Sequence, residues 1–277
     1  MTAPWVRDVL DGRPPAPVVL VLGGFLTSPP VYGPFVHDLR ARGAADVVVG
    51  NVWTMDWMLA AYRGLGPILT RSGRALLEAS RRSEARVCGA PVLVIGHSAG
   101  GMSARLLTSP EPFAGRRLNG SSRIGAIVTL GTPHVVTRRV AGRNRVGTEA
   151  AEFANREVPG PAFAPWTGYL AVASRKVMGR RHGSPGERRA FALYDGLTPE
   201  RGRDEIEGDG LVPLASALLP GAARLVMDDA AHGQGVGRDW YGSPRILDRW
   251  WPVALDTWRA ALHARAQAAF DGSADHR

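Results

Sequence analysis

The chain has one cysteine, Cys88, and one lysine, Lys176, among its 277 residues. A lone cysteine cannot close an internal disulfide, so the fold does not rest on an oxidising compartment. Cys88 stands just before an apolar run and reads as a buried or half-buried filler rather than a nucleophile. Long hydrophobic runs are missing too. The longest, 17–22 and 91–95, are strand-sized, far from the ~20 residues of a membrane helix. His, Cys and acidic residues do not recur at metal-ligand spacing, so neither a metal nor another cofactor is expected. A basic helix at groove spacing and an aromatic-glycine sheet signature are both lacking, which argues against nucleic acid as a partner. The first residues, Met-Thr-Ala-Pro-Trp-Val-Arg-Asp, carry an early acid and no apolar core. A cleaved leader is therefore not expected, and the expected location is cytoplasmic.

What the chain does have is arginine. The formal net charge is +9, nearly all of it guanidinium. Arginines spread over a solvated surface are the favoured reading, with peripheral contact to an anionic membrane as the alternative. The hydrophobic share of 45% is ordinary for a globular chain. Six short apolar runs lie at 17–22, 45–52, 91–95, 124–130, 170–173 and 224–227. They lack polar alternation, as strands buried on both faces do. Helical stretches fall between them at 57–80, 98–108 and 246–269, the first interrupted by Gly64, Gly66 and Pro67. Strand–helix alternation implies an α/β fold with a mostly parallel sheet of about six strands flanked by helices. One domain over 1–277 is expected. Residues 137–166, rich in Arg, Gly, Pro and Ala, read as an irregular insertion, a cap or lid.

The chemistry concentrates where runs end. Gly96-His97-Ser98-Ala99-Gly100 matches G-x-S-x-G, a sharp strand-to-helix turn that exposes a serine hydroxyl. Serine is a poor nucleophile without a base, and the base needs an acid to orient it. His232 follows the sixth run by a short loop and is the candidate base. His263 and His276 on the C-terminal helix and tail, and His182 in a Gly/Arg-rich loop, read as solvated. His134 comes too early in the chain for the role. Asp209, between Gly208 and Gly210, is the candidate acid, with Asp195, Asp204 and Asp228 as rivals. A developing oxyanion needs fixed donors. The backbone N–H groups of Ala99, after the nucleophile, and Phe25, in the Gly23-Gly24-Phe25-Leu26 loop, are the candidates.

These motifs together resemble the α/β-hydrolase superfamily, and within it the bacterial lipases and esterases. The resemblance rests on Leu22-Gly-Gly-Phe25, Gly-His-Ser-Ala-Gly at 96–100, Gly131-Thr-Pro-His134, Gly208-Asp-Gly-Leu-Val-Pro213 and Ala231-His232-Gly233. It covers about residues 17–260. Gly131-Thr-Pro-His134 looks like the triacylglycerol lipases and the deacylases of glycosyl-phosphatidylinositol lipids. The chain departs from many lipases in having Gly23-Gly24 where they have His-Gly. The resemblance implies an α/β-hydrolase fold and a serine ester hydrolase with Ser98, Asp209 and His232 as triad. Gly24, His97 and His134 would support the site. A small-molecule or lipid ester would be the substrate. Acyl transfer to an acceptor other than water, or a non-catalytic binding role, are the alternatives.

Overall fold

The computed structural model describes residues 3–137, 141–199 and 202–274. Its helices are α1 (Pro4–Leu10), α2 (Gly33–Ala41), α3 (Thr54–Arg63), α4 (Gly66–Val87), α5 (Ala99–Thr108), α6 (Ala141–Glu157), α7 (Pro185–Tyr194), α8 (Leu214–Ala217) and α9 (Pro244–Ala274). Its strands are β1 (Val18–Leu22), β2 (Asp46–Val49), β3 (Val92–His97), β4 (Ile124–Leu130), β5 (Gly168–Ser174), β6 (Val177–Arg180), β7 (Glu205–Gly208) and β8 (Ala223–Met227). All six apolar runs become strands of one sheet, in the order β2-β1-β3-β4-β5-β8. Every neighbouring pair in it is parallel.

The lack of polar alternation has a direct cause: both faces of this sheet are covered. Along β1, Val19 and Val21 pack into one core cluster, with residues of α1, α2 and α9. Val18, Leu20 and Leu22 pack into another, with residues of α4 and α5. Each such side chain removed from water contributes roughly 1.5–3 kcal/mol. α9 lays Trp250, Trp251 and Trp258 onto the first cluster. The polar ends of all three indoles are satisfied, Trp250 Nε1 donating to the Tyr241 carbonyl and Trp258 Nε1 to that of Pro91, both at 2.8 Å, and Trp251 Nε1 to that of Arg42 at 3.1 Å.

The chain runs from β1 out to the edge strand β2, then returns to β3 on the other side of β1. The strand order therefore reverses between β1 and β3. Beyond the carboxyl ends of two strands at such a reversal lies the crevice where open α/β sheets bind ligands. The Gly23-Gly24 loop and Ser98 both leave the sheet there.

Two expectations are corrected, and one strand pair is new. Within 137–166, where an irregular insertion is expected, α6 fills 141–157. It packs Ala150, Ala151 and Ala154 into a cluster with Trp57 and Ala60 of α3 and Met102 and Leu106 of α5. Alanines spaced at one helical face carried that signal beneath the arginines and glycines. Arg105 of α5 completes the junction. It is buried, and its Nη2 donates to the Ala154 and Val158 carbonyls at the end of α6, both at 3.0 Å. Cys88 is exposed, not buried; it ends α4 in the left-handed conformation, φ 55°. Finally, β6 and β7 were not anticipated. They form a separate antiparallel pair, and their short, charged segments carry no apolar run. Among the described residues, no helix is long and apolar enough to cross a membrane.

Candidate active site

Ser98 sits between β3 and α5 at φ 53°, ψ −127°. This is costly backbone for a residue with a Cβ, and such strain persists where the surroundings over-determine it. Here close packing does so. A Cβ on Gly96 would overlap the backbone of Gly101, and one on Gly100 would overlap the Leu22 carbonyl. The turn is pressed between α5 and β1 with no room for side chains. The Ser98 N–H is held by the Leu130 carbonyl at 2.9 Å.

The structure brings three of the sequence candidates into one chain. Ser98 Oγ lies 2.9 Å from His232 Nε2. His232 Nδ1 lies 2.8 Å from Asp209 Oδ2. A carboxylate only accepts, so Nδ1 carries the proton and Nε2 is the lone-pair nitrogen facing the serine hydroxyl. Asp209 is fully buried. Its Oδ1 accepts from the N–H groups of Leu211 and Val212 at 3.0 and 2.8 Å. Its Oδ2 also accepts from the Tyr241 hydroxyl at 3.0 Å. Burial, followed by the nearby Asp209 charge, pushes the Tyr241 phenol well above its ordinary range, so it stays a donor.

The rival acids lie elsewhere. Asp204 and Asp228 are exposed and pair with Arg181 and Arg175; Asp195 is half-buried at the C-terminal end of α7. Asp209 comes after the fifth strand of the sheet, as expected, but by a detour through β6, α7 and β7. The N–H of Gly210 donates to the Tyr194 hydroxyl of α7 at 2.7 Å. The small β6–β7 unit thus holds the acid turn. Opposite it, Gly131 takes φ +55°, and a Cβ there would stand 2.5 Å from Asp209 Oδ2 and 3.2 Å from His232 Nδ1. Glycine at 131 leaves the acid–base contact its space.

The remaining candidates divide. Ala99 is the first residue of α5, so its N–H has no partner within the helix. Phe25 N–H likewise has no hydrogen bond among the described residues. Both are available to an external oxygen. A Cβ on Gly24 would stand 2.9 Å from Ser98 Cβ, so glycine there admits the loop next to the serine. His97 is buried beneath the site, and its Nε2 donates to the His232 carbonyl at 2.7 Å. His134 is buried but turned away. Its ring lies 3.4 Å from Arg105 Nη1 and 3.3 Å from Thr129 Oγ1, not beside Ser98, Asp209 or His232. His182 and His263 are exposed, and His276 lies outside the described residues. Tyr241 and Tyr194 were missed, because a lone tyrosine in a loop or helix has no pattern that announces a partner far along the chain. Among the described residues no group of His, Cys, Asp or Glu is arranged to hold a metal ion.

His97 and His134 make folding sensitive to acid. Burial, then the neighbouring His232, lowers the His97 pKa to about 3. Burial, then Arg105, lowers that of His134 well below 6.5. The native state refuses both protons, whereas the unfolded chain takes them near 6.5. Their contribution is therefore intact above about pH 6.5 and is lost as the pH falls below it, at about 1.4 kcal/mol per pH unit for each proton. Urea unfolding at pH 7, 6 and 5 measures this. A free energy that stays constant from pH 6.5 to 5 would contradict it.

Solved structures of two other proteins resemble the chain. One is esterase 2 of Thermogutta terrifontis, phosphoramylated by tabun; it is 12% identical, with 87% of this chain and 83% of that one covered at a TM-score of 0.50. The other is a putative carboxylesterase of Lactobacillus plantarum WCFS1; it is 15% identical, with 87% and 86% covered at a TM-score of 0.51. The fold is that of an α/β-hydrolase. No family model and no curated protein matches the sequence.

Proposed function

We propose that the protein is a serine carboxylic-ester hydrolase that cleaves esters with an apolar acyl part through an acyl-enzyme. The observation that carries this reading is the unbroken contact from Ser98 Oγ through His232 to buried Asp209, with the serine held in strained backbone. In the proposed cycle, Ser98 Oγ attacks the ester carbonyl while its proton passes to His232 Nε2. The carbonyl oxygen becomes an oxyanion facing the Phe25 and Ala99 N–H groups. As the C–O bond to the alcohol breaks, His232 returns the proton to the leaving oxygen. Water then gives a proton to His232 and attacks the acyl-enzyme. Collapse of that second adduct releases the carboxylic acid and restores the Ser98 hydroxyl. Asp209 keeps the His232 ring in the right tautomer and stabilises its charged form. Two proteins of the same fold being described as an esterase and a putative carboxylesterase supports the reaction class.

The apolar acyl part is read from the Phe25–Leu26 loop and the helix it is fastened to. Phe25 and Leu26 of the oxyanion loop, Trp53, and Met55, Met58 and Tyr62 of α3 are all large apolar side chains left exposed. The loop is fastened to that helix: Thr54 Oγ1 donates to the Leu26 carbonyl at 3.0 Å, and the Phe25 ring meets Trp57 edge-on at 5.7 Å. An apolar surface that continues from this loop onto the helix it is fastened to suits a hydrocarbon chain. Segment 137–166, read as a cap, adds α6 to the same layer as α3.

A series of p-nitrophenyl esters from acetate to decanoate tests the substrate class. A buried methylene is worth about 0.8 kcal/mol, so kcat/KM is expected to rise roughly fourfold per added carbon over the first few. Met58→Ser is expected to flatten the rise. A series that falls steadily from acetate would sink the apolar-acyl reading. Mass spectrometry after treatment with a fluorophosphonate tests the nucleophile, the expected adduct lying on Ser98.

A further inference from the structure

The N–H of Phe25 belongs to the peptide that joins it to Gly24. In a trans peptide the carbonyl and the N–H point in opposite directions in one plane. Whatever fixes the Gly24 carbonyl therefore aims the Phe25 N–H. That carbonyl is gripped twice by Thr27, through Oγ1 at 2.7 Å and the backbone N–H at 3.2 Å. The preceding side of the same residue is gripped too: the Gly24 N–H donates to the buried Tyr32 hydroxyl at 2.8 Å.

The network does not stop there. The Tyr32 hydroxyl lies 2.9 Å from His97 Nδ1. The other nitrogen of that ring, Nε2, faces the backbone carbonyl of His232 at 2.7 Å. A carbonyl only accepts, so Nε2 carries the proton, and in the neutral ring Nδ1 accepts from Tyr32. Along this path the donors run one way: Gly24 N–H donates to the Tyr32 hydroxyl oxygen, the Tyr32 O–H to His97 Nδ1, and His97 Nε2–H to the His232 carbonyl. Trp240 backs the arrangement, its ring edge-on to His97 at 5.3 Å and to Tyr32 at 6.3 Å. The two glycines supply the space. A Cβ on Gly23 would stand 2.8 Å from the Tyr32 ring and 2.9 Å from Thr27 Oγ1.

We propose that Thr27, Tyr32 and His97 are one positioning unit, which aims the Phe25 N–H at the oxyanion and ties its loop to the loop that carries the base. None of the three touches the reacting atoms. The inference rests on the ester-hydrolase reading above. It predicts that the unit matters more in the transition state than in the ground state, because the hydrogen bond to the oxygen strengthens as charge develops.

The test compares Tyr32→Phe, Thr27→Val, Thr27→Ser and Ser98→Ala with the wild type. Each is assayed with p-nitrophenyl butyrate and for affinity toward a butylboronic acid, whose tetrahedral serine adduct mimics the oxyanion. Removing an oxyanion donor outright costs about 100- to 1,000-fold in kcat, so misaiming one is expected to cost roughly 10- to 100-fold. For Tyr32→Phe and Thr27→Val we expect that fall in kcat with KM changed by no more than about twofold, and boronate affinity reduced by a similar factor. Thr27→Ser keeps the hydroxyl and is expected to stay within about threefold of wild type. A role in stability alone would lower the unfolding midpoint and leave kcat per folded molecule, and boronate affinity, unchanged. That result in Tyr32→Phe and Thr27→Val overturns the proposal. If Tyr32→Phe does not fold, the two Thr27 variants carry the test by themselves. Ser98→Ala separates the two failures. With Ser98→Ala inactive and the other variants like wild type, only the positioning unit is wrong. If Ser98→Ala keeps its turnover, the hydrolase reading fails and this proposal falls with it.

Discussion

Ser98→Ala is expected to lower kcat for p-nitrophenyl butyrate by about four to six orders of magnitude, with the protein still folded. The size follows from what the hydroxyl does. In the proposed cycle it forms the covalent intermediate, and without it only the donors and bound geometry remain, which supply a residual ~10³–10⁴ over water in serine hydrolases with such a triad. Folding should survive because Ser98 is only half-buried, and its side-chain hydrogen bond is to His232. The variant also relieves no strain, since alanine keeps the Cβ that makes φ 53° costly. Stopped assays with purified variant, checked for wild-type contamination by fluorophosphonate titration, measure it. Turnover within about a hundredfold of wild type would remove Ser98 from the mechanism.

The second large effect is expected from Asp209→Asn, at about 10⁴ in kcat. The two residues have the same shape, so the loss would come from proton placement. Oδ1 of residue 209 faces two backbone N–H groups, from Leu211 and Val212. An asparagine therefore keeps its oxygen there and turns its NH₂ toward His232 Nδ1 and the Tyr241 hydroxyl. A donor then faces the nitrogen that had been donating. His232 must take the other tautomer, with the proton on Nε2, and it can no longer accept from Ser98. Tyr241 can turn its hydroxyl to accept, so the burial cost is modest and stability should change far less than activity. Steady-state kinetics together with urea unfolding check both halves. An Asp209→Asn variant within about tenfold of wild type would show that orientation by this acid is dispensable.

Much of this architecture was legible along the chain. Burial on both faces removes polar alternation, so each strand of the main sheet announced itself as an apolar run, and the first, third, fourth and sixth runs were each followed closely by a motif. Gly64, Gly66 and Pro67 broke 57–80 into α3 and α4, with α3 ending at Gly64, φ 65°. What failed did so for stated reasons. The charged β6 and β7 pair only with each other, outside the main sheet, so no core-facing run marks them. The face of α6 is alanine, too weakly apolar to stand out among arginines and glycines. Residue type predicts burial for Cys88, whereas its position at the left-handed end of α4 leaves it in solvent.

The strand ends, the serine at the tight turn, and His232 and Asp209 as candidates for base and acid follow from the residue order alone. These depend on local steric rules and on chain order, which a linear string contains. What surrounds them comes from the folded chain: Tyr241 shares the Asp209 carboxylate, Gly131 makes room for it, and Thr27, Tyr32 and His97 link the Phe25 peptide to the His232 loop. Tyr32 and His97 are 65 residues apart, and His97 and His232 are 135. Hydrogen bonds over such separations leave no periodicity in a sequence. They exist because the reversal between β1 and β3 brings the ends of distant segments to one edge of one sheet.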